Sequence, residues 1–536
     1  MDKLLIVGSG ASGVHFALSV LQKGYHVIMA DVGHRKPATI DRSAAFDELK
    51  TGLDDPVRYF LGDEYEAVVS PQARQEYYGF PPNKSYLFKQ PATFHFEGQG
   101  FQPLFSFAQG GLAEAWTGGV YPFNDAELGD FPFDYGEIDP YYSEIARRIG
   151  ITGARDDLAR FFPVHDNLLE PLELDRHSAQ LLAAYEMKRR YLVGKLRCYL
   201  GRSRVATLSV DRDGRTACAY CGRCLWGCPL HSLYTPSLTL EELRRHPNFT
   251  YLPDTYVSYF TYDAHRRILS AVAETPGEGR SREITADRFI LAAGTLSSSA
   301  IYLRSIFQGT GEIAILRGLM DNRQVLVPFL NLKMAGQTYE PRSYQYHQLA
   351  VGIEQNDPRR YVHGQITTLK AALAHPIIQN MPFDLRASTA VFRKVRAGLG
   401  VVNVNFRDVR RESNYVTLKT DGASDHPRLA ICYSPPAEER ILIKQVLKTV
   451  KRALWSLGCV VPPGTIHVRP MGASTHYAGT VPMSTGAGLH TASRDCGSHY
   501  FDNLYFVDGT TIPSLPAKNL TFTLMANAIR VADRAF

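Results

Sequence analysis

The 536-residue sequence lacks an uninterrupted apolar run long enough to cross a bilayer, so a transmembrane protein is not expected. It also lacks internal repeats and low-complexity stretches, and its 45% apolar content excludes a disordered chain. The net charge is only +6, and basic clusters such as Lys188–Arg190 are short, so nucleic acid is not an expected partner. The chain is too long to fold around a single hydrophobic core, so we expect two or three lobes.

Cysteine is scarce and unevenly placed. Four of the eight cysteines fall within eleven residues: Cys218, Cys221, Cys224 and Cys228. A secreted disulfide framework would not have this distribution, and clustered thiols in a large chain indicate a reducing compartment. The apolar run Leu4–Val7 is short and leads directly into glycines, which favours a first strand over a secretory signal. We therefore expect a cytoplasmic protein.

The spacing C-x2-C-x2-C-x3-C-P, which begins at Cys218, is that of a bacterial ferredoxin motif, so these four cysteines are candidate iron–sulfur ligands. In two-cluster ferredoxins the fourth cysteine ligates the other cluster, and no second run exists here. A single cluster would need an unusual local wrap, a three-iron form or a remote ligand such as Cys198. Structural zinc fits this spacing less well. A dithiol or disulfide, or a loop that packs cysteines as small apolar residues, remains an alternative.

The first 33 residues contain a dinucleotide-binding pattern. Its parts are a predicted strand Leu4–Val7, the G-x-G-x-x-G glycines Gly8, Gly10 and Gly13, an amphipathic helical stretch, and a predicted strand His26–Ala30 that ends in Asp31. The first glycine permits a tight turn, the second lets backbone approach a pyrophosphate, and the third lets the helix pack on the strand. The acid can bind ribose hydroxyls, which disfavours NADP but does not separate FAD from NAD.

Further segments follow in a fixed order along the chain. They are Gly110-Gly111 with Trp116-Thr117-Gly118-Gly119, the stretch Phe289–Ser298, the stretch His476–Met483, and Asp508-Gly509 followed by Asn519-x-Thr521-x-Thr523-x-Met525-Ala526. Together with the N-terminal glycines they resemble the motifs of the glucose–methanol–choline (GMC) oxidoreductases. The matches run from residue 5 to residue 533, and the middle of the chain matches only in outline.

The resemblance implies an α/β fold, α+β overall, with a discontinuous Rossmann-type FAD-binding domain and an inserted substrate domain built on an antiparallel sheet. We assign residues 1–45, 100–150, 206–310 and 466–536 to the FAD-binding domain, 311–465 to the substrate domain, and 46–99 and 151–205 to lid or connecting segments. Short runs within 249–294 and 325–420 predict strands, one of them interrupted at Pro328. Helices are predicted over 437–457 and from about Leu520.

The resemblance also implies that FAD oxidises an alcohol, with a base taking the hydroxyl proton. His476 is assigned as that base, because an imidazole pKa of about 6.5 suits the task. Asn519 is assigned to binding the substrate oxygen, although asparagine is also a favoured helix N-cap. The implied FAD contacts are Gly8, Gly10, Ala11, Ser12, Gly13, Asp31, Gly110, Gly111, Trp116, Thr117, Gly118, Val257, Ala293, Gly294, Asp508, Gly509, Asn519, Leu520 and Thr521. Some members of the family link FAD covalently through a histidine just after the double glycine. Leu112–Trp116 contains no histidine, so we expect non-covalent FAD.

The first hypothesis is an FAD-dependent alcohol dehydrogenase or oxidase that acts on a sugar, glycoside or polyol. The polar, tyrosine-rich stretch Tyr339–Gln348 favours a polyol over a fatty chain. The electron acceptor is either oxygen or an external carrier, and no membrane partner is expected. Two alternatives remain: a non-redox FAD-containing lyase of the same fold, and a flavin and iron–sulfur electron-transfer subunit whose substrate is another protein.

Overall fold

The computed structural model describes residues 2–37, 44–46, 48–63, 65–67, 76, 78–277, 280–369, 374–420 and 427–536. The strands in this part of the chain are β1 (Lys3–Val7), β2 (His26–Ala30), β3 (Phe96–Gln99), β4 (Ile151–Thr152), β5 (Leu168–Leu169), β6 (Cys198–Arg202), β7 (Phe249–Leu252), β8 (Tyr256–Tyr262), β9 (Ile268–Glu274), β10 (Ser281–Thr285), β11 (Arg288–Leu291), β12 (Ile315–Arg317), β13 (Arg323–Asn331), β14 (Leu349–Ile353), β15 (Val362–Thr368), β16 (Leu399–Phe406), β17 (Tyr415–Lys419), β18 (Arg428–Cys432), β19 (Cys459–Val460), β20 (His467–Val468) and β21 (Leu504–Phe506). The helices are α1 (Ala11–Gln22), α2 (Leu49–Gly52), α3 (Pro56–Leu61), α4 (Tyr135–Ile149), α5 (Arg176–Leu196), α6 (Pro236–Leu243), α7 (Thr295–Thr310), α8 (His375–Gln379), α9 (Leu385–Val395), α10 (Glu439–Ser456) and α11 (Thr521–Ala535). The chain has the expected mixed α/β fold.

A five-stranded parallel sheet in the order β21–β11–β1–β2–β7 carries the N-terminal glycine turn. Leu4, Leu5 and Ile6 in β1 are fully buried, as expected for a parallel strand covered on both faces. Helices α1 and α11 pack against each other through one apolar core, although they lie at opposite ends of the sequence. This packing brings the starts of both helices to the same region of the molecule.

The largest sheet is antiparallel and has the order β19–β13–β16–β15–β14–β6, with β20 also pairing with β13. Apolar side chains of α5 and α10 pack on it in a second core. Helix α10 lies within the predicted range 437–457 and confirms that prediction. Strand β6 comes from the stretch 151–205 that the sequence analysis assigned to a connecting segment.

Pro328 lies inside β13, where the sequence analysis expected an interruption. The outer edge of β13 pairs with β20 at Val325 and Leu326, and with β19 at Leu330 and Asn331. The proline falls between these two short partners, where the edge does not need its missing N–H group. The strand therefore continues through the proline.

Three smaller sheets complete the strand pairing in the described ranges, and one of them is the parallel pair of β4 and β5. Strands β10, β9 and β8 form an antiparallel sheet, and β12, β17, β18 and β3 form a mixed one in which β3 joins parallel to β18. In the described ranges, no helix combines the length and the apolar character that crossing a bilayer would require. The cytoplasmic location stays a prediction.

Candidate active site

The glycine turn after β1 is shaped by close backbone approach. Gly8 has φ of +102°, and a Cβ atom there would lie 2.6 Å from the carbonyl oxygen of Ala292. A Cβ on Gly13 would lie 2.4 Å from the carbonyl oxygen of Gly8, so the helix packs directly on the turn. Gly10 differs from both, because the nearest atom to its Cβ position is 3.8 Å away. The space beside Gly10 is therefore open to a ligand.

Asp31 sits at the end of β2, bound by two hydroxyl groups. Ser9 Oγ and Tyr251 Oη both donate to its Oδ2 atom, the latter at 3.2 Å. Ser9 Oγ also accepts from the backbone N–H of Gly110 at 2.9 Å, which ties the glycine turn to the Gly110 loop. Burial raises the pKa of Asp31 to about 6, and the hydrogen bonds oppose that rise. Sequence analysis missed Ser9 and Tyr251, for which no spacing gives a signal.

A cleft extends from the glycine turn to the start of α11. Of the residues predicted to bind FAD or act in catalysis, its lining contains Gly8, Gly10, Ala11, Ser12, Asp31, Gly110, Gly111, Val257, Ala293, Gly294, His476, Asp508, Gly509, Leu520 and Thr521. Segments from the two ends and the centre of the chain therefore meet in one cavity.

Other predicted contacts lie behind the cleft wall. Trp116 donates its Nε1 proton to the carbonyl of Tyr234 at 2.7 Å, and the carbonyl of Thr117 accepts from Tyr344 Oη at 3.1 Å. Gly118, with φ of +72°, lies against the Leu233 side chain. Gly13 serves helix packing, and Trp116, Thr117 and Gly118 hold a loop behind the cavity.

His476 is a buried histidine that has a defined partner on each ring nitrogen. Nδ1 lies 3.0 Å from Asn322 Oδ1, and Nε2 lies 3.4 Å from Asn519 Nδ2. Asn322 uses its amide nitrogen to donate to two backbone carbonyls, so its oxygen is free to accept from Nδ1–H of His476. This leaves Nε2 as the unprotonated nitrogen, next to Asn519.

The electrostatic surroundings keep His476 neutral. Burial, with a smaller contribution from the positive charge of Arg469, lowers the pKa of His476 to about 4. Arg469 is itself held by Glu76, to which its Nε donates at 2.7 Å. At neutral pH the imidazole is therefore unprotonated at Nε2 and can accept a proton.

Asn519 is oriented by the antiparallel sheet. Gln365, in β15, donates from Nε2 to Asn519 Oδ1 at 2.6 Å, which turns the amide nitrogen of Asn519 toward His476. Helix α11 begins at Thr521 and has no side-chain cap, so Asn519 does not serve as the N-cap. The side chain is instead part of the network Asn322–His476–Asn519–Gln365. Asn322 and Gln365 were not found by sequence analysis.

The backbone around both residues is anchored by buried charges. Thr475, just before His476, has φ of +62°, and this turn is held by Asp321, which accepts from Ser474 Oγ and from Gly472 N. Burial raises the pKa of Asp321 to about 7. On the other side, Lys518 Nζ pairs with Glu127 while fully buried.

The cysteine loop does not form the metal site that its spacing suggested. Among the described residues, no three His, Cys, Asp or Glu side chains are placed to hold one metal ion, and all eight cysteines are free thiols. Burial raises the pKa of Cys218 to about 12 and that of Cys224 well above its ordinary value, so both are protonated thiols in this arrangement. Cys218 and Cys224 instead pack with Tyr344 in a small apolar cluster. The arrangement therefore does not support iron–sulfur ligation and matches the packing alternative.

Comparison with known proteins supports the resemblance to the GMC oxidoreductases. Residues 410–528 match the family model for GMC oxidoreductases, and this range contains His476 and Asn519. The C-terminal part of the chain therefore matches the GMC oxidoreductases, the family that the sequence motifs resemble. Relatives align over nearly its whole length: paromamine 6'-oxidase of Streptomyces fradiae is 21% identical over 99% of this chain and 90% of its own. The fructose dehydrogenase large subunit of Gluconobacter japonicus is 23% identical over 99% and 97%.

Solved structures share the fold of this chain. Pyridoxine 4-oxidase from Mesorbium loti superposes with a TM-score of 0.61 at 16% identity, covering 100% of this chain and 99% of its own. The GMC match and the oxidase and dehydrogenase relatives together identify the chain as an FAD-dependent alcohol oxidoreductase. The open space beside Gly10 and the bound Asp31 carboxylate suit the pyrophosphate and a ribose of such a dinucleotide.

Proposed function

We propose that this protein is a GMC oxidoreductase that binds FAD non-covalently in the cleft and oxidises a hydroxyl group of a sugar, glycoside or polyol to a carbonyl. In this proposal the parallel sheet belongs to a Rossmann-type FAD-binding domain, and the antiparallel sheet forms the substrate side, with the domain boundaries predicted from the sequence. The residues predicted to contact FAD that also line the cleft would hold it, beginning with Gly10 and Asp31. The names of two relatives, which contain paromamine and fructose, favour a sugar-like alcohol.

The observation that carries the proposal is the unprotonated Nε2 of His476, held beside the amide of Asn519. When bound, FAD would supply the acceptor for the hydride that leaves the carbinol carbon. His476 Nε2 takes the hydroxyl proton, so the alcohol loses one hydride and one proton and becomes a carbonyl. Asn519 Nδ2 donates to the substrate oxygen and holds it beside the base.

Helix α11, which begins just after Asn519, adds a favourable electrostatic field. Leu520 and Thr521 at the start of α11 line the cleft, so the positive end of the helix dipole faces the cofactor space. This field would favour added negative charge on the bound cofactor. The electron acceptor, oxygen or an external carrier, is left open in this proposal.

The test is the visible spectrum of the protein purified without air and then mixed with candidate sugars and polyols. We expect two resolved flavin bands that bleach on addition of the substrate alcohol, and flavin that is released by acid denaturation. Flavin bands that no alcohol bleaches would contradict the proposal and favour the lyase. A broad brown absorbance that dithionite bleaches would instead favour the electron-transfer subunit and contradict the packing role of the cysteines.

A further inference from the structure

Two helices on the antiparallel-sheet side of the molecule concentrate its positive charge. Helices α5 and α10 together contain ten lysine and arginine residues and two glutamates, which is a net charge of +8. The whole chain has a net charge of only +6. All of the excess positive charge of the protein therefore lies in these two helices.

The fold places the two helices side by side, although they are far apart in the sequence. Both pack their apolar side chains on the large antiparallel sheet in one shared core, and the helices contact each other. The basic cluster Lys188–Arg190 in α5 is short when it is taken alone. In the folded chain it has a second basic helix beside it, so the two form one positively charged surface.

Most cations of this surface are exposed and have no acidic partner. Arg189 is paired with Asp157, but eight other exposed cations make no ion pair within the described residues. These eight are Lys188, Arg190, Lys195, Arg440, Lys444, Lys448, Lys451 and Arg452. Two exposed carboxylates lie on the same helices or next to them, Glu186 in α5 and Glu438 just before α10. They offset two of the eight charges and leave the surface strongly positive.

The solvent-facing side of α10 also presents large apolar side chains. Lys444, Lys448 and Lys451 follow one another at helical spacing, and the same stripe begins at Ile441 and ends at Trp455. The Ile441 and Trp455 side chains are 62% and 71% exposed. Apolar groups of this size at both ends of a basic stripe can enter an apolar phase while the lysines stay in contact with anions.

An open hollow lies at the Trp455 end of the stripe. It has a volume of about 620 Å³ and is bordered by Lys451 and Trp455. The rest of its lining is mostly apolar and includes Val460, Val461, Pro462, Pro463 and Ile466. Leu332, which is 52% exposed, lies at the same end, because its N–H donates to the carbonyl of Gly458 just after α10. The surface thus combines positive charge with accessible apolar groups.

This combination favours one class of anionic partner. Lysine is depleted at protein–protein interfaces, whereas lysine predominates on the α10 stripe. The phosphates of a nucleic acid would pair with the cations but would leave the isoleucine and the apolar hollow without a partner. A bilayer that contains anionic lipids supplies both phosphates and an apolar boundary, and it is the surface on which basic amphipathic helices with exposed tryptophan lie.

We propose that α10, with α5 beside it, binds the surface of a membrane that contains anionic lipids. Lys444, Lys448 and Lys451 contact the lipid phosphates, and Ile441 and Trp455 enter the boundary between headgroups and acyl chains. No segment crosses the bilayer in this arrangement. From the sequence we expected no membrane partner, because the two basic segments are distant there and each is short.

The test is cosedimentation of the whole 536-residue chain with lipid vesicles. One set of vesicles contains phosphatidylcholine alone, and the other contains phosphatidylcholine and anionic phosphatidylglycerol in equal amounts. We expect binding to the mixed vesicles, little binding to phosphatidylcholine, and release at high salt, because salt screens the attraction. Tryptophan emission should shift to shorter wavelength on binding, as the Trp455 ring leaves water.

The lysines of the stripe are tested together. The triple variant Lys444→Gln, Lys448→Gln and Lys451→Gln should bind the mixed vesicles about 100-fold more weakly, since each charge near an anionic surface contributes about fivefold. The matched variant with arginine at the same three positions keeps the charge and should bind like the wild type. Equal unfolding midpoints of the two variants would exclude a folding defect as the cause.

Two further variants test the position of the surface. Trp455→Phe should keep most of the binding but lose the emission shift, because Trp226 is buried and Trp116 is half-buried. A second triple variant removes the same amount of charge from exposed positions on the parallel-sheet side and should bind within about twofold of the wild type, because charges far from the contact are screened. Its substitutions are Arg245→Gln, Arg266→Gln and Arg280→Gln.

Several results would overturn the proposal. They are equal binding to both kinds of vesicle, no binding to either, or undiminished binding by the glutamine variant of the α10 stripe. Binding to a duplex oligonucleotide in preference to the mixed vesicles would assign the surface to nucleic acid and would also overturn it. None of these results bears on alcohol oxidation, because no residue of α5 or α10 lines the cleft.

Discussion

The two walls of the cleft are specified by the chain in different ways. The nucleotide wall is a short local segment in which backbone atoms approach so closely that only glycine fits at Gly8 and Gly13. The catalytic wall is assembled from side chains far apart in the sequence: His476 to Asn322 and Asn519 to Gln365 both span 154 residues. Crowded backbone positions can be recognised in a single sequence because only glycine fits there. Side chains that meet from distant positions give no such local pattern.

The largest expected effect falls on the catalytic wall. His476→Ala should lower the rate of flavin reduction by alcohol by about 10²- to 10⁴-fold, the range typical of a lost general base. FAD content should not change, because the nucleotide wall is untouched. Stopped-flow reduction of the flavin, measured at equal FAD occupancy, checks this. A loss below about tenfold would remove His476 from the role of base.

The buried ion pair behind Asn519 offers the next test. Lys518 Nζ pairs with Glu127 and also donates to the carbonyls of Pro122 and Phe161. Lys518→Met leaves a buried carboxylate without its partner, which costs about 3–5 kcal/mol. We expect a lower midpoint of thermal unfolding at fixed FAD concentration, and partial recovery in the double variant Lys518→Met with Glu127→Gln. A double variant no better than the single one would show that the charge of Glu127 is not the cause.

The same contrast explains how much of the fold and of the site could be predicted from the sequence. The glycine turn, its two strands and the helix after it could be predicted from residue spacing, because each glycine is required by the local steric conditions of the turn. His476 and Asn519 could be proposed only through resemblance to a family. Asn322 and Gln365 could not be proposed, because an asparagine just before a strand or a glutamine within one gives no indication of which side chain it will contact. The cysteine spacing left iron–sulfur ligation and simple packing open, and only the folded arrangement favours packing, since in the described residues no three such side chains are placed to hold one metal ion.

On the nucleotide wall, two neighbouring glycines should behave differently. Gly13→Ala places a methyl group 2.4 Å from a backbone carbonyl and should destabilise the protein by about 1–3 kcal/mol, as overpacking does. Gly10→Ala meets nothing closer than 3.8 Å in the protein, so folding should be preserved while FAD affinity falls. Unfolding midpoints and FAD titration of the two variants separate these effects. If Gly10→Ala bound FAD normally, the pyrophosphate would not lie beside Gly10.

The smallest expected effect is a displacement of the pH profile. Because the pKa of His476 is lowered to about 4, its Nε2 stays unprotonated through pH 5 and 6, where an ordinary histidine would become protonated. The acidic limb of kcat/KM should therefore fall near pH 4 rather than near 6.5, with activity lost as the pH drops through it. Stability should also decline from about pH 6.5 toward 4, since protons bind the unfolded histidine first.

Arg469→Gln removes the smaller cause of the lowered His476 pKa. It should move the acidic limb of kcat/KM upward only slightly, because burial is the main cause. A wild-type limb near 6.5 would mean that water reaches the imidazole and that burial does not lower the pKa of His476.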